Sequence, residues 1–246
     1  MTLLFDIGNS QIKWQDSEHF DETPNTFSYS QQGFDAKLTD VLTPLTAPDA
    51  DVVVVSVASG EINLAFEAWI KCNWEVGTVF LETKQKWYEL KNGYEIPERL
   101  GVDRWYALVG AVERYPFPFV VCDIGTAVTV DVVDIHGDHL GGYIIPGIET
   151  MIRSLISETN ITLNSPKPSK DKMEFPTDTH AAIERGCIQA IGALIDSVNE
   201  KVGDAGCCIL TGGGADQIGQ LLMTNSEIDR NLIFHGIKCS IEEQKV

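Results

Sequence analysis

The sequence predicts an α/β fold made by duplication, and three observations carry that prediction. Two Asp-Ile-Gly turns, Asp6-Ile7-Gly8 and Asp123-Ile124-Gly125, each stand between runs of branched apolar residues. Val, Ile and Thr favour strands because their stiff side chains suit a pleated surface. The two aspartates lie 117 residues apart (123 − 6), close to half of a 246-residue chain, which marks an internal repeat. Strand-like runs also alternate with stretches of helical period along the chain. A chain of this length can build one large domain or two modest ones with ample core.

Thr2-Leu3-Leu4-Phe5 reads as a short strand, and Gln11-Ile12-Lys13-Trp14 resumes an alternating strand pattern after the Asp6 turn. Residues 20–32 read as a polar loop and 35–42 as a helix. Asp51 to Val57 is a near-continuous apolar run, a strand buried on both faces. Residues 61–71 fit a surface helix, 79–81 a short strand, and 87–97 an aromatic loop that includes Tyr94. Trp105, Leu108, Val109 and Val112 form a stripe at helical spacing. Asp103 sits near the start of this helix, where its simplest role is a cap or a partner of the helix dipole. Arg104 beside it then reads as a surface charge.

Phe119 to Cys122 and Val128 to Val133 flank the central turn, Asp123-Ile124-Gly125-Thr126-Ala127. A glycine there permits a tight reversal that a Cβ would resist, and small polar neighbours let amides and hydroxyls approach an anion. Leu140 to Gly147 reads as a strand ending in Pro146-Gly147 before a helix at 148–156. Such an ending either opens a backbone-lined gap over a ligand or is a rigid turn. Residues 162–176 carry three prolines and read as a flexible or extended crossing. Thr177-Asp178-Thr179 offers caps for a long helix over about 180–202. Cys207 to Thr211 is a strand entering Gly212-Gly213-Gly214, where a nucleotide could lie against bare backbone or a helix simply packs tightly.

Composition narrows the function. The formal charge of −18 repels nucleic acid and anionic membrane, so neither is an expected partner, and any anionic substrate needs local attraction. Six cysteines show no CxxC pair and no zinc-ligand spacing with the five histidines. With no signal peptide and no apolar run long enough to span a bilayer, the expected compartment is the reducing cytoplasm.

Four glycine-bearing turns stand in order: Asp6 to Ser10, Asp123 to Thr126, Gly141-Gly142 with Pro146-Gly147, and Thr211 to Gly214. In this the chain resembles the acetate kinase, sugar kinase, Hsp70 and actin superfamily. Within it, the chain is similar to the type III pantothenate kinases over nearly its whole length. The residues that carry this likeness are Asp6-Ile7-Gly8-Asn9-Ser10 with Lys13, Gly101-Val102-Asp103-Arg104, and Asp123-Ile124-Gly125-Thr126-Ala127 with Thr129. Gly141 to Gly147, and Thr179 with Ala182-Ile183 and Gly186, complete the set. Ser10 replaces the family's usual threonine, keeping the hydroxyl, and 159–164 lacks the family's usual form.

The resemblance implies two duplicated actin-like (ribonuclease H-like) domains, 1–114 and 115–246, with mixed sheets flanked by helices and a nucleotide cleft between them. It implies ATP-dependent phosphorylation of pantothenate to 4'-phosphopantothenate, the first step of coenzyme A biosynthesis, by a typical homodimer. ATP would be bound by Asp6, Ile7, Gly8, Asn9, Ser10, Gln11, Ile12 and Lys13 and by Thr126, with Gly212-Gly213 facing the adenosine. Read alone, Lys13 is equally a solvated strand end. Asp6 would orient Mg²⁺, directly or through water. Asp123 is the implied ligand of a monovalent cation, K⁺ or NH₄⁺, although the residues alone allow an Mg²⁺ role. Asp103 is the implied general base, which replaces its reading as a cap. Tyr94, Gly101, Val102, Arg104 and Thr179 complete the implied substrate contacts, with Thr179 supplied by the neighbouring subunit. A rival reading is an ATP-binding transcriptional accessory protein of the same fold; a third is another small-molecule kinase or a phosphatase. The acceptor-side set Tyr94, Asp103, Arg104 and Thr179 separates the first from the second, since a sensor has no need of it.

Overall fold

The computed structural model describes residues 1–18, 20, 23–159, 175–203 and 206–243. The chain opens with strands β1 (Leu3–Ile7), β2 (Gln11–Asp16) and β3 (Asn25–Ser28), then helix α1 (Phe34–Leu42), β4 (Val52–Ser56), α2 (Gly60–Asn73) and β5 (Thr78–Phe80). A small hairpin of β6 (Lys86–Trp87) and β7 (Leu90–Lys91) and a 3-10 turn at Pro97–Arg99 lead into α3 (Val102–Val112). The second half repeats the theme. Strands β8 (Phe119–Ile124), β9 (Ala127–Val133) and β10 (His139–Pro146) precede helices α4 (Ile148–Glu158) and α5 (Thr179–Val202). Then come β11 (Cys207–Thr211), α6 (Ala215–Gly219), β12 (Ser226–Ile228) and the closing helix α7 (Leu232–Glu243).

The two main sheets have the same order. One runs β3-β2-β1-β4-β5 and the other β10-β9-β8-β11-β12, so the first three strands, the fourth and the fifth occupy equivalent places in each. In the first sheet β1 pairs antiparallel with β2 and parallel with β4, and β4 pairs parallel with β5. In the second, β8 pairs parallel with β11, which pairs parallel with β12. The repeat seen as two Asp-Ile-Gly strings is thus a repeat of topology, with each string at the end of the sheet's central strand. Strand β4 is buried on both faces, as its unbroken valine run requires.

The chain forms two compact units. The first comprises residues 1–117, 133–141 and 229–246, and the second 118–132 and 142–228. Phe5, Ile7, Ile12, Leu38, Val54 and Phe66 centre the core of the first. Val120, Cys122, Val128, Ile191, Ile195 and Leu210 centre that of the second.

Helix α3 is fixed within the first unit by α7. A Cβ on Gly110 would lie 2.0 Å from the Leu232 carbonyl oxygen, and one on Gly236 would lie 2.0 Å from that of Tyr106. Only glycine at both positions lets the two backbones approach this closely. Where α7 begins, Asp229 is buried and accepts from Arg114 Nε at 2.8 Å, so the start of α7 is tied to the end of α3.

Some expectations are corrected. The polar stretch 20–32 contains β3, which buries only Phe27. The loop 87–97 holds the β6–β7 hairpin, whose turn residue Tyr88 has φ 46°. Helix α7 has no counterpart in the element-by-element reading. The crossing expected over 162–176 lies outside the described residues, except for Phe175 and Pro176, which have no regular structure. No helix among the described residues is long and apolar enough to cross a membrane.

Candidate active site

The first turn is a hairpin tip. Gly8 N donates to the Gln11 carbonyl at 2.9 Å, and the Gly8 carbonyl accepts from the Tyr29 hydroxyl at 2.5 Å. Asp6 is the penultimate residue of β1 with 7% of its surface exposed, and Lys13 stands opposite it in register with Nζ 3.8 Å from Oδ2. The pairing gives a buried carboxylate a cationic neighbour, and a lysine on an otherwise acidic protein a fixed position. Asn9 and Gln11 are exposed, and Gln11 Nε2 donates to Ser28 Oγ at 3.4 Å. The side chains of Ile7 and Ile12 are fully buried in the core, so only their backbone is available to a ligand.

The second turn belongs to the second unit and is braced by two other glycine turns. Gly147 N and Thr150 Oγ1 both donate to the Thr126 carbonyl at 2.9 Å, and a Cβ on Gly147 would lie 2.1 Å from the Gly125 carbonyl oxygen. On the β11 side, Gly214 N donates to the Ile124 carbonyl at 2.9 Å. Gly212, at φ +84°, has a left-handed backbone, and a Cβ there would lie 2.3 Å from Asp123 Oδ1. Gly213 has open space around it.

The expected reason for Gly125 is corrected: it does not have the positive φ that demands glycine. A Cβ on Gly125 would meet nothing nearer than the Ala127 carbonyl oxygen at 3.6 Å. The chain's own geometry therefore tolerates a side chain at Gly125.

Asp123 Oδ1 is buried and has no hydrogen-bond partner among the described residues. Leaving a carboxylate oxygen in that state is costly unless a cation meets it. Behind it, the hydrogen bond to Cys208 and then burial hold the Cys122 thiol well above its usual range, a neutral core thiol. Among the described residues no three His, Cys, Asp or Glu side chains gather as a metal cluster. Mg²⁺ binding through Asp6 alone fits an ion that takes most of its ligands from phosphates and water.

Of the residues expected on the acceptor side, Tyr94, Gly101, Val102, Asp103 and Arg104 lie in the first unit, whereas Thr179 lies in the second. Gly101 is the N-cap of α3 and provides no side-chain cap. Asp103 lies in the first helical turn, and its Oδ1 accepts from the Arg104 amide at 2.8 Å. A Cβ on Gly101 would sit 2.6 Å from that oxygen, so glycine is what lets the carboxylate fold back over the helix start. Arg104 is corrected from a surface charge to a buried one, with 6% exposed. Its Nη1 donates to the Tyr94 hydroxyl at 2.9 Å, and its guanidinium carbon lies 5.7 Å from the Tyr94 ring centroid. Val102, beside them, is half-buried.

Supports of this cluster escaped the sequence reading. Asn92 Oδ1 accepts from Tyr94 N at 3.0 Å, while its Nδ2 donates to the Lys84 and Pro97 carbonyls. His139 stacks on Tyr94. An Asn-Gly pair before an aromatic residue was the available signal for the loop; nothing local pointed to His139. Thr179 opens α5, is exposed, and follows the cap Asp178, whose side chain accepts from Ala181 N at 3.0 Å.

Two five-stranded sheets of the same strand order, with glycine turns at their central strands, define a protein of the sugar kinase and actin-like ATPase fold. Solved structures agree. A Campylobacter jejuni protein described as a Baf family transcriptional activator superposes with a TM-score of 0.65 at 23% identity, covering 99% of this chain and 98% of its own. A Sinorhizobium meliloti protein described as a 2-dehydro-3-deoxygalactonokinase superposes with a TM-score of 0.60 at 13% identity, covering 99% and 96%. The chain belongs to the type III pantothenate kinase family, whose model matches residues 2–201. The type III pantothenate kinase of Nitrosococcus oceani is 32% identical over 250 residues, covering 96% of this chain and 92% of its own.

Proposed function

We propose that this chain transfers the γ-phosphoryl group of ATP to the primary hydroxyl of pantothenate, with Asp103 as general base. The observation that carries the residue assignment is the acceptor cluster, in which a buried Arg104 is fastened to Tyr94 beside the Asp103 carboxylate. A desolvated guanidinium is a strong local attractor for the anionic acceptor on a chain of net charge −18. Asp103 has one oxygen engaged by the Arg104 amide, a bond that orients the carboxylate for the acceptor hydroxyl. Phosphoryl transfer passes through a loose transition state, so positioning and charge stabilisation matter more than strong basicity.

Gly8-Asn9-Ser10 with Lys13, and Gly125-Thr126, each offer amides, hydroxyls or positive charge to phosphate oxygens. The bound Mg²⁺, near Asp6, would supply charge neutralisation on the phosphates. Asp123 would hold K⁺ or NH₄⁺, a role supported by its buried oxygen, which has no hydrogen-bond partner among the described residues.

The same reading includes a homodimer in which Thr179 reaches the partner's acceptor. Its support is apolar exposure: Tyr143 and Ile144 on β10 and Leu155 and Ile156 on α4 are 36–61% exposed, and α4 buries no residue fully. A division at 114/115 is supported by the equivalent strand order of the two sheets, with 133–141 and 229–246 falling in the first compact unit. A cytoplasmic location is consistent with the six free cysteines.

The transcriptional accessory reading is not favoured, because the likeness to the Campylobacter protein is one of fold and a sensor needs no acceptor cluster. The test is a coupled assay of purified protein with Mg-ATP and pantothenate, with and without K⁺. Phosphopantothenate is the expected product; none with either K⁺ or NH₄⁺ would remove the assignment.

A further inference from the structure

We propose that His139 is a positioning residue of the acceptor site, acting through Tyr94 to hold Arg104 in place. This rests on the reading of Tyr94 and Arg104 as acceptor contacts.

His139 is the first residue of β10 and is 2% exposed. Its ring lies nearly parallel to that of Tyr94, with an interplanar angle of 7° and centroids 6.1 Å apart, the offset stacking that aromatic quadrupoles favour. Tyr94 is engaged twice by Arg104, through its hydroxyl at 2.9 Å and through its ring at 5.7 Å. Without a backing surface, a half-buried tyrosine on a loop would sample several rotamers, and the guanidinium would follow it. Stacking removes that freedom on one side.

The backbone shows the same fit. A Cβ on Gly93 would lie 1.8 Å from the His139 carbonyl oxygen, so the Asn92-Gly93-Tyr94 segment rests directly on the start of β10. Asn92 closes the loop by accepting from Tyr94 N. The loop's position, the tyrosine ring and the arginine are therefore referred to one buried residue that itself need touch no substrate. A buried histidine that only fills the core would affect stability but not the balance between the two substrates.

Kinetics separate these roles. His139→Leu keeps bulk and removes the aromatic stack, whereas His139→Phe keeps the stack without ring nitrogens. Each is measured by thermal melting and by steady-state kinetics with pantothenate and ATP varied in turn, alongside Arg104→Ala. His139→Leu is expected to raise KM for pantothenate about three- to tenfold, the size of an aromatic pair, with kcat and KM for ATP within about twofold of wild type. His139→Phe is expected to restore KM to near the wild-type value. An unchanged KM for pantothenate in His139→Leu, an equal rise for both substrates, or failure of His139→Phe to restore it, would overturn the inference. Should His139→Leu not fold, His139→Gln is read by the same criteria. If Arg104→Ala leaves KM for pantothenate unchanged, the acceptor-site reading itself fails. If Arg104→Ala raises KM and His139→Leu does not, only the role of His139 fails.

Discussion

Gly236→Ala tests how the helix that carries Asp103 and Arg104 is held. A methyl group at this position would lie 2.0 Å from the Tyr106 carbonyl oxygen, 2.9 Å from its carbon and 3.1 Å from Gly110 N. The obstacles are all backbone, so no side chain can turn aside, and α7 must move away from α3 by about an ångström to reach ordinary contact. Overpacking of this kind costs about 1–3 kcal/mol, and a backbone obstacle puts this site at about the upper figure. For a chain of this size that lowers Tm by about 6–12 °C. Differential scanning calorimetry gives the shift, and steady-state kinetics on the same preparation give the consequence. Because α3 bears the proposed base Asp103 and the proposed acceptor contact Arg104, kcat/KM for pantothenate is expected to fall more than KM for ATP rises. Gly60→Ala, at the open first turn of α2, is the control and should stay within about 0.5 kcal/mol of wild type. A Gly236→Ala protein melting within about 1 °C of wild type would refute the argument that close backbone contact fixes α3.

Two further substitutions address the second unit. Asp123→Asn should remove K⁺ stimulation, leaving activity at the level wild type shows without K⁺, while Tm measured without the cation is preserved; full stimulation in the variant would mean that the cation sits elsewhere. Gly125→Ala should leave Tm unchanged, since a Cβ there meets nothing within 3.6 Å, but raise KM for ATP about tenfold by crowding the phosphates. Unchanged KM would show that the turn does not approach phosphate, as read by initial rates at varied ATP.

The parts of the fold that were legible are those whose signal is local. The valine run of β4, the hydroxyl and carboxylate caps before α5 and the branched residues around both Asp-Ile-Gly turns each declare their structure within a few residues. Strand β3 does not, because Asn25-Thr26-Phe27-Ser28 exposes all but Phe27 and is ordered mainly by pairing with β2. The β6–β7 hairpin has two-residue strands and a tyrosine at positive φ, a turn that propensity disfavours. Gly236 lowers helix propensity where α7 runs, yet it is required by the contact with Tyr106. For the site, the glycine and aspartate turns were legible as strings. Their actual reasons were not: Gly101 makes room for the Asp103 carboxylate, and Gly212 for that of Asp123. Arg104 read as a surface charge because its burial depends on Tyr94, ten residues away in sequence. His139 meets this loop through ring stacking on Tyr94 and a close backbone approach to Gly93, and no pattern within its own strand announces either.

The most direct test of the account is the turnover of Asp103→Asn beside wild type under saturating Mg-ATP, pantothenate and K⁺, with nucleotide binding measured on both proteins. The account predicts phosphopantothenate from wild type and a kcat lower by about 10²–10⁴-fold in the variant, the range a general base contributes, at unchanged nucleotide affinity. Turnover of Asp103→Asn at the wild-type rate would contradict it, and the base would have to be sought outside the α3 cluster.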